Sequence, residues 1–465
     1  MTALEKIEPA LKVAPAPGHL AAELTETLRL AVPMALTQLG QIAMMTTDLA
    51  FIGRLGNEAV AAAALAGTVY FISFTIGMGL VSAVAPLVAQ AFGARDPHRM
   101  RRALRTGLWA GLLISLPIMP FSFYGEHILL ALDQAPAAAH LAQQYLFGLV
   151  WGVTPALWFM AIRGFMGAVN RPQPALWITL AAIPANALSV YLLIYGEWGF
   201  PRLELFGAGL ATSMVNFAAL LAGLWFATRI RPFRKYQVLR HPWRIDWPLM
   251  RQLIAIGAPI SLAFMLEYGL FSAAALLMGL ISTTALAAHQ VALQITAILF
   301  MVPYGISMAA TVRVGHAVGR FDAGGVNRAG LVALLLGISL TSVFTLLVIV
   351  SRFAIGRFFF GSADGADTAL ALTANLLLIG ATFFIGDGIQ SIAVGALRGM
   401  NDTAVPLLFA AIGYWLIGFT TACVLGFWTG LGAIGVWIGL SCGTAVYATL
   451  LVLRFRLLVR RLGAP

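Results

Sequence analysis

Apolar runs long enough to cross a bilayer recur along this chain, each ended by a short polar or basic stretch. About twenty such residues, coiled as a helix, cross roughly 30 Å of hydrocarbon. Twelve runs can be placed, at 29–52, 62–92, 104–124, 141–169, 175–195, 207–228, 252–281, 285–318, 328–350, 369–398, 405–427 and 432–453. The pattern predicts an all-α polytopic membrane protein with about twelve transmembrane helices. An even number of crossings returns both termini to one side.

Basic residues choose that side, because short loops rich in Lys and Arg stay cytoplasmic. Arg95, Arg99, Arg101, Arg102 and Arg105 share one loop, and Arg229, Arg231, Arg234, Lys235, Arg240, Arg244 and Arg251 fall in or beside another. Arg454, Arg456, Arg460 and Arg461 mark the C-terminus, on the same face as Lys6 and Lys12, while the opposite loops carry only Arg54, Arg202, Arg352 and Arg357. Both termini are therefore expected in the cytoplasm. The net charge of +11 is largely this asymmetry. It implies attraction to anionic membrane lipids and no nucleic-acid binding.

The basic stretch 229–251 splits the chain near its middle and leaves six runs on each side. A domain plan follows: a cytoplasmic segment 1–28, an N-lobe 29–228, the linker 229–251, a C-lobe 252–453 and a basic tail 454–465. The lobes repeat. Ala31-Val32-Pro33 matches Gly257-Ala258-Pro259, a shift of 259 − 33 = 226, which also carries Gly53 onto Gly279 and Gly79 onto Gly305. Two six-span copies enter the membrane in the same orientation. Their pseudo-twofold axis then runs along the membrane normal, with a central cleft between two bundles that rock to give alternating access.

Only 10% of residues are charged, yet Glu267 and Asp387 sit inside apolar runs. An ionised carboxylate at that depth is expensive unless protonated, paired or cation-bound. Two of them from different runs could hold one proton or one Na⁺ while a cationic cargo competes for the charge, which is the chemistry of an ion-coupled antiporter. Pro259 permits bending near Glu267, and Gly386 and Gly388 allow close approach to Asp387. Asp48 is a third intramembrane acid, and Asn186 and Thr212 could give oxygens to a cation beside it. At the 226 shift Glu267 falls on Gln41, so the lobes differ in their acids. Gln41, Tyr268, Phe383, Gln390, Tyr70 and Met301 are candidates for a cleft that takes flat organic cations, because rings attract cations and thioethers adapt in shape. Arg163 and Arg398 are expected to snorkel to headgroups, with Arg313 and His316 at the inner surface and His289 a structural histidine.

Cys423 and Cys442 lie in apolar runs and make neither a disulfide framework nor a metal site. The absence of a Gly-x-x-x-x-Gly-Lys loop argues against direct drive by ATP, and no carboxylate cluster with metal-ligand spacing supports an intramembrane enzyme. A flippase for lipid-linked saccharides is the alternative; its anionic cargo would call for several buried arginines.

The stretches Thr47-Asp-Leu-Ala-Phe-Ile-Gly53, Arg163-Gly164 with Asn170-Arg-Pro172, Ala287-Ala-His-Gln290, Arg313-Val-Gly-His316 and Gly395-Ala-Leu-Arg-Gly-Met-Asn-Asp-Thr403 run through the chain in order. On these the chain resembles the multidrug and toxic compound extrusion (MATE) family, in its bacterial NorM-like branch. The resemblance implies a multidrug efflux antiporter of the bacterial inner membrane, acting as a monomer without a cofactor. Amphipathic, mostly cationic compounds would leave in exchange for inward Na⁺ or H⁺. It implies cation coupling at positions matching Glu267 and Asp387, where Na⁺ could bind, and a first-lobe network matching Asp48, Asn186 and Thr212. Val190 departs from that network, where relatives often carry Asp or Asn, and Phe383 stands where some have tyrosine.

Overall fold

The computed structural model describes residues 17–361 and 366–462; Lys6 and Lys12 lie outside them. Among the described residues the chain is nearly all helix, with twelve long helices. They are α1 (Pro17–Gly53), α2 (Asn57–Gly93), α3 (Pro97–Phe123), α4 (Pro136–Ala168), α5 (Gln173–Tyr195), α6 (Glu204–Arg229), α7 (Trp247–Ile281), α8 (Thr283–Gly319), α9 (Ala323–Phe360), α10 (Ala366–Gly399), α11 (Ala404–Trp428) and α12 (Ala433–Leu462). Eleven of these, all but α1, are long and apolar enough to cross a membrane. The first helix falls short because Thr37, Gln38, Gln41, Thr46, Thr47 and Asp48 dilute its apolar residues. The protein is an integral, multi-pass membrane protein.

Two compact units make up the chain: one is Leu36–Ser261, the other Leu262–Pro465 together with the segment up to Ala35. The boundaries therefore fall inside α1 and α7, each two residues after a helix proline, Pro33 and Pro259. They are also related by the repeat shift, since 262 − 36 = 226. Contacts at the two breaks correspond as well. A Cβ on Gly79 would lie 2.5 Å from the Ser261 backbone, and one on Gly305 would lie 2.5 Å from the Ala35 side chain. Without side chains at 79 and 305, the first half of α7 closes onto α2 and the first half of α1 onto α8.

In the first unit the loop before α7 is tied to α3 by an ion pair between Arg102 and Asp246. Asp246 also accepts from the Leu249 N–H at 3.3 Å, capping the helix. The Arg102 guanidinium holds the Asp246 carboxyl below the usual carboxylate range. A depressed acid contributes its stabilisation above the ordinary range near pH 4 and loses it as pH falls lower. Protection against hydrogen exchange at the amides of 247 and 249–251 should accordingly fall below about pH 4, and Asp246→Asn should show the lower protection already at neutral pH.

In the second unit α10 is held between α8 and α9 by glycines and hydroxyls. A Cβ on Gly395 would lie 2.3 Å from the Ser307 carbonyl, and one on Gly399 would lie 2.7 Å from that of Thr311. The Ser307 hydroxyl donates to the Ser391 carbonyl at 2.7 Å, and that of Thr311 to the Gly395 carbonyl at 2.8 Å. Lipid offers no hydrophobic drive for helix association, so close backbone contact and such bonds hold the bundle. On the other face, a Cβ on Gly388 would press within 2.6 Å of Thr341 on α9. That approach brings Asp387 against α9.

Candidate functional site: two acid cavities in one unit and a bonded acid in the other

Asp48 lies on α1, buried, with both carboxylate oxygens engaged. Asn186 of α5 donates its amide to Oδ1, and the Thr212 hydroxyl of α6 lies 3.2 Å from Oδ2 and equally 3.2 Å from the Ala208 carbonyl. The residues named beside Asp48 are thus its partners in space. Val190, one turn after Asn186, is fully buried among the apolar residues of this unit and brings no oxygen.

Glu267 lies on α7, which continues from its proline into the second unit. It lines a small cavity with Arg398, Gln390, Tyr304, Tyr414 and Tyr447. Arg398 does not snorkel as expected: its guanidinium sits 5.0 Å over the Phe264 ring, and its Nε is buried with no hydrogen-bond partner. A fixed positive charge thus shares the cavity with Glu267. Tyr414 belongs to a π-helical stretch, Ala411–Phe419, whose wider turns shift it relative to a regular helix. Its ring packs edge-on to Tyr447 at 5.0 Å. The Trp415 indole N–H donates to the Leu266 carbonyl at 3.1 Å, locking α11 to α7 next to the acid.

Asp387, on α10, lines a different small cavity. Thr296 of α8, Thr341 and Thr345 of α9, and Phe300 line it, and Phe300 lines the Glu267 cavity too. The two acids therefore occupy adjoining cavities rather than one common cluster of oxygens. Asp387 Oδ1 is buried with no hydrogen-bond partner, as are Thr345 Oγ1 and Gln390 Oε1.

Other candidates are dispersed. Phe383 is buried in an aromatic cluster with Phe271, Phe384 and Trp437, packing rather than lining either cavity. Tyr70 stacks on Phe74 with centroids 5.4 Å apart, and Gln41 is exposed on α1. Tyr268 and Met301 are half-buried and line neither acid cavity. His289 is fully buried and accepts from the Trp437 indole at 3.1 Å. Arg163 donates to Gln38 at 3.2 Å, Arg313 makes a bidentate pair with Glu23 at 2.8 Å, and His316 is buried rather than at the surface. Sequence reasoning missed the threonines around Asp387. Thr341 and Thr345, four apart on an apolar helix, were the available signal.

The MatE family profile matches residues 33–192 and, a second time, 259–424. The chain belongs to the MatE family. The two matches begin 259 − 33 = 226 residues apart, the repeat shift found in the sequence. MatE proteins are transporters, and the chain is no enzyme. Among its MatE relatives, a probable multidrug resistance protein NorM of Bradyrhizobium diazoefficiens is 67% identical over 96% of either chain. Another of that description, from Rhodopseudomonas palustris, is 58% identical over 94% of this chain and 92% of its own. The fold is shared with solved structures. A eukaryotic MATE transporter, AtDTX14, superposes with TM-score 0.82 at 21% identity, covering 96% of this chain and 99% of its own. A MOP-superfamily transporter from Pyrococcus furiosus, described as having a binding pocket of reversed polarity, superposes with TM-score 0.86 at 18% identity, covering 98% and 100%.

Proposed function

We propose that this chain is a multidrug efflux antiporter of the bacterial inner membrane, exporting amphipathic, mostly cationic compounds in exchange for inward Na⁺ or H⁺ by alternating access. Both termini lie in the cytoplasm, and the protein works as a monomer in contact with anionic lipid. The multidrug resistance descriptions of its relatives support the cargo class. The observation that carries the coupling is the unequal state of the acids. Asp48 has its donors, whereas Asp387 has a buried oxygen with none, and Glu267 lines a cavity with Arg398 and three tyrosines. A buried carboxylate lacking donors gains most from a proton or a cation, so its occupancy can follow an ion gradient. Glu267 and Asp387 therefore carry coupling, and Asp48 with Asn186 and Thr212 is a packed network that supports the first unit.

Ethidium efflux in everted vesicles, driven separately by a sodium gradient and a pH gradient, tests this. One gradient should drive wild-type efflux, and Glu267→Gln should lower the rate at least about a hundredfold, the loss of a few kcal/mol of coupling. Gradient-driven efflux at the wild-type rate in both Glu267→Gln and Asp387→Asn would move coupling to Asp48. A wild type that exports no ethidium but moves lipid-linked saccharide would favour the flippase.

A further inference from the structure

We propose that Arg101, Arg105 and Arg244 form a docking site for the phosphate of an anionic phospholipid, at the corner where the turn 241–244 meets the start of α3. The inference deepens the lipid contact proposed above and rests on placing this end of α3 at the cytoplasmic face. All its residues lie within the first unit. The Trp109 indole N–H donates to the Pro242 carbonyl at 2.8 Å, and Arg105 Nη1 donates to the His241 carbonyl at 3.2 Å. The Arg244 backbone N–H donates to that same carbonyl at 3.3 Å, which closes the turn, and Arg102 pairs with Asp246 just beyond it. These bonds gather four arginines, and the charges of Arg101, Arg102 and Arg244 all act on Arg105.

Two acids act on the group, Asp246 and Asp96, and both are engaged. Asp246 is held by Arg102, and Asp96 caps α3 by accepting from the Arg99 N–H at 3.0 Å. Among the described residues, Arg101, Arg105 and Arg244 form no ion pair with an acid. Arg101 reaches only His98, at 3.2 Å, the buried Arg105 Nε has no hydrogen-bond partner, and Arg244 is exposed. Like charges held together repel one another until a counter-charge binds between them. A guanidinium fork matches phosphate oxygens in pairs, so phosphate is the anion this cluster suits. The surroundings favour a lipid over a free ion. Arg105 stands just before Leu108, where the apolar part of α3 begins, which is headgroup depth. Trp243 and Trp247, 84% and 59% exposed, flank Arg244 with indoles of the kind that settle at the membrane interface. Basic pockets on the cytoplasmic side of helix bundles take anionic headgroups.

The test titrates phosphatidylglycerol into the delipidated full-length chain in detergent and follows the unfolding midpoint. Wild type is compared with Arg244→Gln, with Arg105→Gln/Arg244→Gln, and with Arg460→Gln/Arg461→Gln, which removes the same charge from the C-terminal tail. Phosphatidylcholine and inorganic phosphate are titrated in parallel. Phosphatidylglycerol should raise the wild-type midpoint, and the other two should not. The lipid concentration at half-saturation should rise about tenfold or more in the double corner variant, about threefold in Arg244→Gln, and less than about twofold in the tail variant. The Arg244 side chain makes no hydrogen bond or ion pair among the described residues, so its variant folds as the wild type does and decides alone if size exclusion shows the double variant misfolded. Half-saturation that is unchanged in the corner variants, or raised equally in corner and tail variants, overturns the site and leaves diffuse contact with anionic lipid. Inorganic phosphate that protects as well as the lipid overturns the lipid in favour of a soluble anion. A wild type indifferent to phosphatidylglycerol overturns the site and the lipid contact together, while the antiport reading stands.

Discussion

Replacing Gly395 with valine is expected to leave almost no folded protein in the membrane. Its Cβ would sit 2.3 Å from the Ser307 carbonyl and 2.4 Å from the Ser307 hydroxyl, and the former atom is helix backbone that cannot swing aside. Relief requires α10 and α8 to part, which would also break the hydrogen bonds from Ser307 to Ser391 and from Thr311 to Gly395. Overpacking alone costs about 1–3 kcal/mol, and losing a buried bond network carries the total beyond about 4 kcal/mol, most of the stability of an ordinary protein. Gly386→Ala is the control on the same helix, because its Cβ meets nothing nearer than a Thr444 methyl at 3.4 Å. Monodisperse yield after detergent extraction should collapse for the first and hold for the second. Equal yields would mean that the two helices are not packed this closely.

Replacing Arg398 with methionine should have the second largest effect. Arg398 and Glu267 border one cavity without direct contact closer than an ion pair requires, so the arginine acts as a resident counter-charge across it. Removing one member of a buried charged pair costs about 3–5 kcal/mol, because the other is left uncompensated. Efflux should be lost, and the unfolding midpoint in detergent should fall by several degrees. The double variant Glu267→Gln/Arg398→Met should recover at least about 1 kcal/mol relative to the sum of the singles. Strict additivity in that cycle would mean that the two charges do not sense each other.

The helices were legible because an uninterrupted apolar run of the right length has few other outcomes. The repeat was legible too, since Pro33 and Pro259 and the glycines 79 and 305 had to match for both copies to close. Partners were another matter. Hydropathy reports that α1 and α7 cross the apolar layer, but it does not say against which helices their first halves pack; that depends on the shape of surfaces around Gly79 and Gly305. Arg398 was misjudged for a similar reason. Position near a helix end suggests a side chain reaching for headgroups, and only the rotation of α10, set by Gly395 and Gly399 against α8, turns it to Phe264 and Glu267. Asn186 and Thr212 could be named beside Asp48 from the sequence, whereas Thr341 and Thr345, in one of the most apolar helices, offered only their four-residue spacing as a signal.

The exchange of helix halves bears on how the chain is made. The start of α1 belongs to the unit completed by α8 through α12, and its Glu23 meets Arg313 only after 290 further residues have been synthesised. During that interval the segment must wait in the membrane without its final neighbours. The first unit, in turn, is incomplete until the ribosome has passed the basic loop and delivered Trp247–Ser261. A cut in the loop 229–251 would therefore yield two fragments that each carry a piece owned by the other. They should be inserted stably only when produced together, although the loop reads as a clean seam between two copies of one ancestral gene.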